Sequence, residues 1–95
     1  MRIRWTRPAL ADLEAIGDFI ARDNPAAGQR FISSLVASVD KLRDHPNLGR
    51  PGRLAGTREL VVARTPYVLP YRVRGNDVEI LAVFHGARRW PGAFE

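Results

Sequence analysis

The sequence contains no cysteine, and this absence removes several kinds of chemistry at once. A disulfide framework, a thiolate zinc site and a cysteine nucleophile are all excluded. No stretch approaches the roughly 18 consecutive apolar residues of a membrane-spanning helix. The N-terminal residues carry charge before an apolar run can develop, which indicates neither export nor membrane insertion. We therefore expect a cytoplasmic protein that makes no contact with a membrane.

The motifs of metal and cofactor enzymes are missing as well. The two histidines, His45 and His85, lie forty residues apart, which is not the spacing of a metal-ligand motif. The sequence has no glycine-rich phosphate loop followed by lysine and no Gly-x-Ser-x-Gly turn. These absences predict that the protein uses neither a metal nor a cofactor.

The charged residues are biased towards arginine. The fifteen basic residues include a single lysine, Lys41, and they outnumber ten acidic residues to give a net charge of +5. Because a guanidinium binds phosphate or carboxylate through two parallel hydrogen bonds, this excess favours nucleic acid or an acidic protein as a partner. A GC-rich genome produces the same bias without such a function, so both explanations stay open.

The N-terminal half has the pattern of a strand followed by two helices. Residues 2–6 alternate between polar and apolar, which predicts a half-buried strand. A helix is predicted over 8–22 and a second one from Pro25 to about 44, because Asn24 is a good cap and Pro25 suits a first helical turn. The apolar stripes of the two helices are Leu10, Leu13, Ile16 and Ile20, then Phe31, Leu35, Val39 and Leu42. The acidic residues of the first helix, Asp12 among them, are interpreted as solvated.

The C-terminal half has the pattern of three strands, over 58–63, 67–73 and 78–84, after a basic loop over 47–56. Gly75 and Asn76 predict a hairpin turn between the last two strands. Pro70 cannot donate a ladder hydrogen bond, so we expect irregular pairing there. In the last strand Val78, Ile80, Ala82 and Phe84 are expected to share the face that packs on the helices. The prediction is a single α+β domain over 1–95, with order β-α-α-β-β-β and a helix hairpin packed on a mainly antiparallel sheet.

The end of the last strand carries the most suggestive side chains, namely His85, Arg88, Arg89 and Trp90. Arginine neutralises phosphate, tryptophan stacks on bases, and histidine acts as a general acid or base near neutral pH. A structural interpretation is open too: a hydrogen-bonded histidine, a solvated arginine pair, and a tryptophan that covers the sheet edge.

Two further arginines could join that cluster. Arg64 lies in a predicted turn between strands, and Arg72 lies on the face of its strand opposite Tyr71. The alternative for Arg72 is a cross-strand ion pair with Glu79 on the solvent face, which contributes only a few tenths of a kcal/mol to about 1 kcal/mol.

The element order and two segments, YVLPYRV over 67–73 and VEILAVFHGARR over 78–89, resemble the RelE/ParE superfamily of toxins of type II toxin-antitoxin modules. The resemblance covers nearly the whole chain. It implies a toxin that is neutralised by a co-expressed antitoxin, whose flexible, acidic and apolar C-terminal segment folds on binding. The expected docking surface is the groove between helices and sheet, beside Leu13, Ile16, Phe31 and Leu35.

The superfamily divides by target, since RelE-like members cut mRNA on the ribosome and ParE-like members inhibit DNA gyrase. Basic residues that are typical of RelE-like nucleases fall here on Glu59, Val61 and Val68, and only a final arginine, Arg88, is matched. We therefore expect a ParE-like gyrase inhibitor that needs no catalytic residue. The expected target-binding residues are Arg88, Arg89, Trp90 and Arg72. The alternative is a ribosome-dependent mRNA endonuclease, for which His85, Arg88 and Arg64 are the candidate catalytic residues.

Overall fold

A computed structural model of the chain describes residues 1–86. The elements are β1 (Arg2–Trp5), α1 (Arg7–Asp23), α2 (Pro25–Asp40), a 3-10 helix (Lys41–Arg43), β2 (Arg50–Pro51), β3 (Arg58–Val61), β4 (Tyr67–Arg74), β5 (Asp77–Ile80) and β6 (Phe84–His85). The predicted element order is confirmed, and two short strands are added to it. One of them, β2, lies in the expected basic loop, and the other, β6, follows β5 after three residues outside any strand.

A single asparagine joins the two helices. The backbone N–H of Asn24 donates to the carbonyl of Ile20 at 3.1 Å and so closes α1. The side chain of Asn24 accepts from the N–H of Ala27 at 3.1 Å and so begins α2. Because one residue caps both helices, the chain reverses without a loop, and the predicted antiparallel hairpin is confirmed.

Two glycines let the helices approach closely. A Cβ atom at Gly28 would lie 2.9 Å from the carbonyl oxygen of Gly17 and 2.8 Å from the Cβ of Ala21. Both distances are shorter than packed carbon and oxygen atoms tolerate, so a side chain at position 28 would push α1 and α2 apart.

The sheet is mainly antiparallel, as predicted. Its strand order is β1-β5-β4-β3-β2, with β6 paired to β4 beyond the end of β5. Only the pair of β1 with β5 is parallel among the pairs of the described chain. The helices pack on one face of this sheet and form a core with it, whose largest members include Leu35, Leu42, Leu60, Leu69, Tyr71 and Ile80. The opposite face carries no helix within residues 1–86.

Pro70 coincides with a one-residue bulge. Tyr71 pairs with Ile80 and Val68 pairs with Phe84, so two residues of β4 face three residues, 81–83, of the neighbouring segment. The carbonyl of Pro70 accepts a hydrogen bond from the N–H of Leu81 at 2.9 Å. Proline has no backbone N–H, so it donates no hydrogen bond to the neighbouring segment. The extra residue shifts the alternation of side chains beyond it.

The bulge corrects one expectation about the last strand. Phe84 does not share the helix-facing side with Val78 and Ile80, because it pairs with Val68 on the other face. His85 takes the helix-facing position, opposite Tyr67.

Candidate functional site

A groove of about 200 Å³ opens where α1 meets the end of the sheet formed by β4 and β6. It is lined by Asp12, Ala15, Ile16, Tyr67, Val83, Phe84 and His85. The groove therefore combines side chains that the sequence analysis assigned to different roles, one to antitoxin binding and one to catalysis.

Three aromatic rings form one side of this groove region. The rings of Phe31 and Tyr67 meet edge to face at a centroid distance of 5.3 Å, and those of Tyr67 and His85 at 5.8 Å. Ile16, Phe31 and Tyr67 are only partly buried against the core. These rings therefore present an apolar surface beside an imidazole, which suits a partner with both apolar and polar side chains.

Helix spacing places Phe19, which the sequence analysis missed, next to the groove residues Ala15 and Ile16 of α1. Its side chain is 67% exposed and lies one helical turn beyond Ile16 and Ala15 on the same face of α1. A signal was present, because Asp12, Ile16 and Phe19 follow the spacing of one helix face. An isolated exposed apolar residue is ordinary, but one that lies a single helical turn from a groove is a candidate for contact with a partner that binds there.

Asp12 holds a backbone segment in place, and the prediction that its side chain is solvated was wrong. Its Oδ2 atom accepts a hydrogen bond from the backbone N–H of Val83 at 3.0 Å. Val83 lies in the bulge, where the N–H has no strand partner to donate to. The carboxylate of α1 therefore fixes the segment that leads into His85, instead of facing solvent.

The four residues that were expected to bind an antitoxin divide into two pairs. Leu13 and Leu35 belong to the core beneath α1 and α2 and are buried. Their expected role as docking side chains is corrected, because the protein's own sheet already covers them. Ile16 and Phe31 stay partly exposed at the groove, and for them antitoxin binding remains a prediction.

On the face of the sheet away from the helices, Glu79 is surrounded by three arginines from two strands, β1 and β4. Arg72 donates through Nε to Oε1 of Glu79 at 2.7 Å, Nε of Arg74 lies 3.7 Å from the same oxygen, and Nη1 of Arg4 donates to the other oxygen, Oε2. The cross-strand pair of Arg72 and Glu79 is thus present, but the glutamate is only 3% exposed. The hydrogen bond from Arg72 lowers the pKa of the Glu79 carboxyl below its usual value, and burial opposes this effect.

A second buried glutamate has a similar environment on β3. Oε1 of Glu59 accepts from Nη2 of Arg50 at 2.9 Å, and its Oε2 accepts from the backbone N–H of Arg53 at the same distance. Val68, on the same face of the next strand, is also buried. Two of the positions where RelE-like nucleases carry basic side chains are therefore occupied by a buried carboxylate and a buried valine.

The candidate catalytic residues Arg64 and His85 lie at the same end of the sheet. Arg64 occupies the turn between β3 and β4 with a φ of 66°, a left-handed conformation that costs a non-glycine residue about 1 kcal/mol. The N–H of Gly86 donates to the carbonyl of Pro66 at 2.7 Å, which ties the residue after His85 to that turn. The third candidate, Arg88, and its neighbours Arg89 and Trp90 lie outside the described residues.

Within residues 1–86 no helix is both long and apolar enough to cross a membrane. The same part of the chain has no group of three histidine, aspartate or glutamate side chains placed to hold a metal ion.

A helix hairpin packed on one face of this mainly antiparallel sheet is the architecture of the RelE/ParE superfamily of toxins. The chain belongs to the family of ParE toxins of the type II toxin-antitoxin system parDE, whose model matches residues 3–90.

Two curated proteins are similar to it over nearly their whole length. The candidate toxin Y4kP of Sinorhizobium fredii is 49% identical over 90 residues, which are 95% of this chain and 93% of that protein. The toxin RelE2 of Caulobacter vibrioides is 42% identical over 87 residues, which are 92% of this chain and 97% of that protein.

A solved structure of the chromosomal ParDE toxin-antitoxin system from P. aeruginosa has the same fold. It matches with a TM-score of 0.82 and 34% identity, covering 90% of this chain and 95% of that chain.

Proposed function

We propose that this toxin acts by binding DNA gyrase and trapping the enzyme in its DNA-cleaved state. The observation that carries the proposal is the chemistry of the sheet positions 59, 61 and 68. Cleavage of RNA through its 2′-hydroxyl needs a base, a charge that stabilises the transition state, and an acid for the leaving oxygen. Glu59 is already held by two arginines, and Val61 and Val68 have no ionisable group.

An inhibitor that acts by binding needs a contact surface instead of a catalytic centre. The residues proposed for that surface are Arg88, Arg89, Trp90 and Arg72. Arg72 already donates its Nε to Glu79, so we assign the main contribution to the arginine pair and tryptophan that follow β6.

The test is a supercoiling assay with the purified chain, gyrase, ATP and relaxed plasmid. We expect loss of supercoiling and accumulation of DNA breaks with gyrase attached. The double variant Arg88→Ala/Arg89→Ala should lose this inhibition. Its matched control, Arg22→Ala/Arg30→Ala, removes the same charge from exposed positions of the helices and should inhibit like the parent chain.

Normal supercoiling in the presence of a folded, growth-inhibiting chain would contradict the proposal and favour an mRNA endonuclease that acts on translating ribosomes. One observation favours that second candidate, namely that Arg64 and His85 lie at the same end of the sheet. In that case His85→Ala and Arg88→Ala should each abolish cleavage of ribosome-bound mRNA without preventing ribosome association.

We also propose that the antitoxin encoded in the same module docks in the groove beside Ile16 and Phe31 and extends to Phe19. An acidic and apolar segment suits a chain of net charge +5 and a half-exposed aromatic row. Because Phe19 is largely exposed, Phe19→Ser should leave the fold intact and weaken antitoxin binding at least tenfold, as loss of an aromatic anchor does.

The matched control for this variant is Val36→Ser, which removes an exposed apolar side chain of α2 that does not line the groove. Isothermal titration with the antitoxin measures both variants. Equal losses of affinity in the two would contradict docking in the groove.

A further inference from the structure

The groove between α1 and the sheet differs in charge from the chain as a whole. The chain has fifteen lysine and arginine residues and a net charge of +5, yet none of those within residues 1–86 lines the groove. Between Arg7 and Arg22, α1 carries three acidic residues and no basic one. One of the three, Asp12, belongs to the groove lining. The lining therefore contributes a negative charge within a positively charged protein.

Asp12 uses only part of its hydrogen-bonding capacity. Its Oδ2 atom accepts a hydrogen bond from the N–H of Val83 at 3.0 Å. Among residues 1–86 its Oδ1 atom has no hydrogen-bond partner, and the carboxylate makes no ion pair. An ionised carboxylate can accept about four hydrogen bonds. Because a backbone N–H has no net charge, Val83 fixes the position of the carboxylate without neutralising it.

The other lining residues suit the rest of a lysine or arginine side chain. Ala15, Ile16 and Val83 are apolar and can pack against its methylene groups. The ring of Tyr67 has a negative face, which attracts a cation. The groove volume of about 200 Å³ is below the roughly 300 Å³ at which pockets for small molecules begin. The groove is therefore the size of a site for one side chain.

We propose that this groove binds one lysine or arginine side chain of the antitoxin, whose charged group pairs with Asp12. The proposal rests on the proposed docking of the antitoxin in the groove, and it does not depend on the target of the toxin. An acidic antitoxin segment is attracted to a chain of net charge +5 from a distance, but the side chain that enters the groove has to be basic. An antitoxin without that residue would leave Asp12 covered and unpaired, so the pair favours the cognate antitoxin.

The experiment is isothermal titration of the antitoxin into the parent chain and into Asp12→Asn. Asparagine keeps an oxygen for the N–H of Val83 and removes the charge, and circular dichroism checks that the variant is folded. Loss of one partner of a hydrogen-bonded charge pair should weaken binding at least tenfold. The matched control, Asp18→Asn, removes the same charge from an exposed position of α1 outside the groove lining. It should change the affinity by about twofold at most.

A double-mutant cycle identifies the antitoxin residue. Each lysine and arginine of the antitoxin's C-terminal segment is replaced with glutamine, one at a time. We expect one replacement that weakens binding to the parent chain at least tenfold and leaves binding to Asp12→Asn unchanged, because the partner charge is already absent there. Additive losses for every replacement would overturn the proposal. Tighter binding of the antitoxin to Asp12→Asn would also overturn it, since it would show an acidic side chain beside Asp12.

The Phe19→Ser variant distinguishes a failure of this proposal from a failure of groove docking. If Phe19→Ser weakens antitoxin binding and Asp12→Asn does not, the antitoxin docks in the groove without a basic side chain, and only the present proposal is wrong. If neither variant weakens binding, the docking in the groove is wrong as well.

Discussion

Replacing Glu79 with glutamine tests whether the buried carboxylate stabilises the sheet through the arginines around it. The substitution keeps the shape of the side chain and removes the charge that faces Arg4, Arg72 and Arg74. A hydrogen bond to a charged group contributes about 1.5–3 kcal/mol. Since two of the three guanidiniums are largely exposed, solvent screens part of the interaction, and we expect a loss of about 2 kcal/mol in the free energy of unfolding.

For a domain of this size, each kcal/mol corresponds to about 4–8 °C in Tm, so Glu79→Gln should lower Tm by about 8–16 °C at pH 7. Thermal unfolding followed by circular dichroism measures the shift. The matched control is Glu14→Gln on the exposed face of α1, where a surface substitution changes stability by less than about 0.5 kcal/mol.

The pH dependence of stability provides the sharper part of this test. The pKa of Glu79 is lowered in the folded state, so its contribution is fully present above the unfolded value of about 4.3. It is lost as the pH falls through the lower, folded pKa. The difference in stability between the parent chain and Glu79→Gln should therefore shrink as the pH falls below about 5. A difference that stays constant down to pH 2, or a Tm unchanged at pH 7, would refute the argument.

Two other substitutions probe the loop and the bulge. Gly49→Ala should lower the free energy of unfolding by about 1–3 kcal/mol, because its Cβ would lie 2.6 Å from Cε1 of Tyr71. Urea unfolding measures this loss with Asn47→Ala as the control, and equal stability of the two variants would contradict the prediction. Asp12→Ala should also lower the free energy of unfolding by about 1–3 kcal/mol, because it leaves the N–H of Val83 without an acceptor. Asp12→Asn keeps an acceptor and should recover most of that loss, so equal urea midpoints for the two variants at position 12 would show that the hydrogen bond is unimportant.

Local signals predicted the helices well. The caps at Thr6 and Asn24 lie within a few residues of the groups they satisfy, so the sequence alone contains both partners. The bulge at Pro70 was predicted only in part. A proline indicates that a ladder hydrogen bond is missing, but the position of the extra residue depends on how a distant segment pairs with β4, which no local pattern contains.

The residues of the candidate site were likewise predicted only in part from the sequence. The helix periodicity places Leu13 and Ile16 on one apolar stripe, yet that stripe is wide enough to face both the core and the groove. Only the packed structure separates Leu13, which is buried, from Ile16, which stays partly exposed. The burial of the glutamates was not predicted for a related reason. Alternation predicts that Glu79 faces away from the helices, but not that arginines from two different strands cover it.

The groove and the ion pairs around Glu79 lie on opposite sides of one sheet, and β4 is the element that contributes to both. Tyr67 of β4 lies beside His85 in the groove, while Arg72 of the same strand contacts Glu79 on the other face. An antitoxin segment confined to the groove would not contact Glu79. Glu79→Gln should therefore leave the affinity for the antitoxin unchanged, and in a double variant the loss of affinity should equal that of Phe19→Ser alone. A loss of antitoxin affinity in a folded Glu79→Gln variant would contradict this independence and would show that β4 couples the two faces.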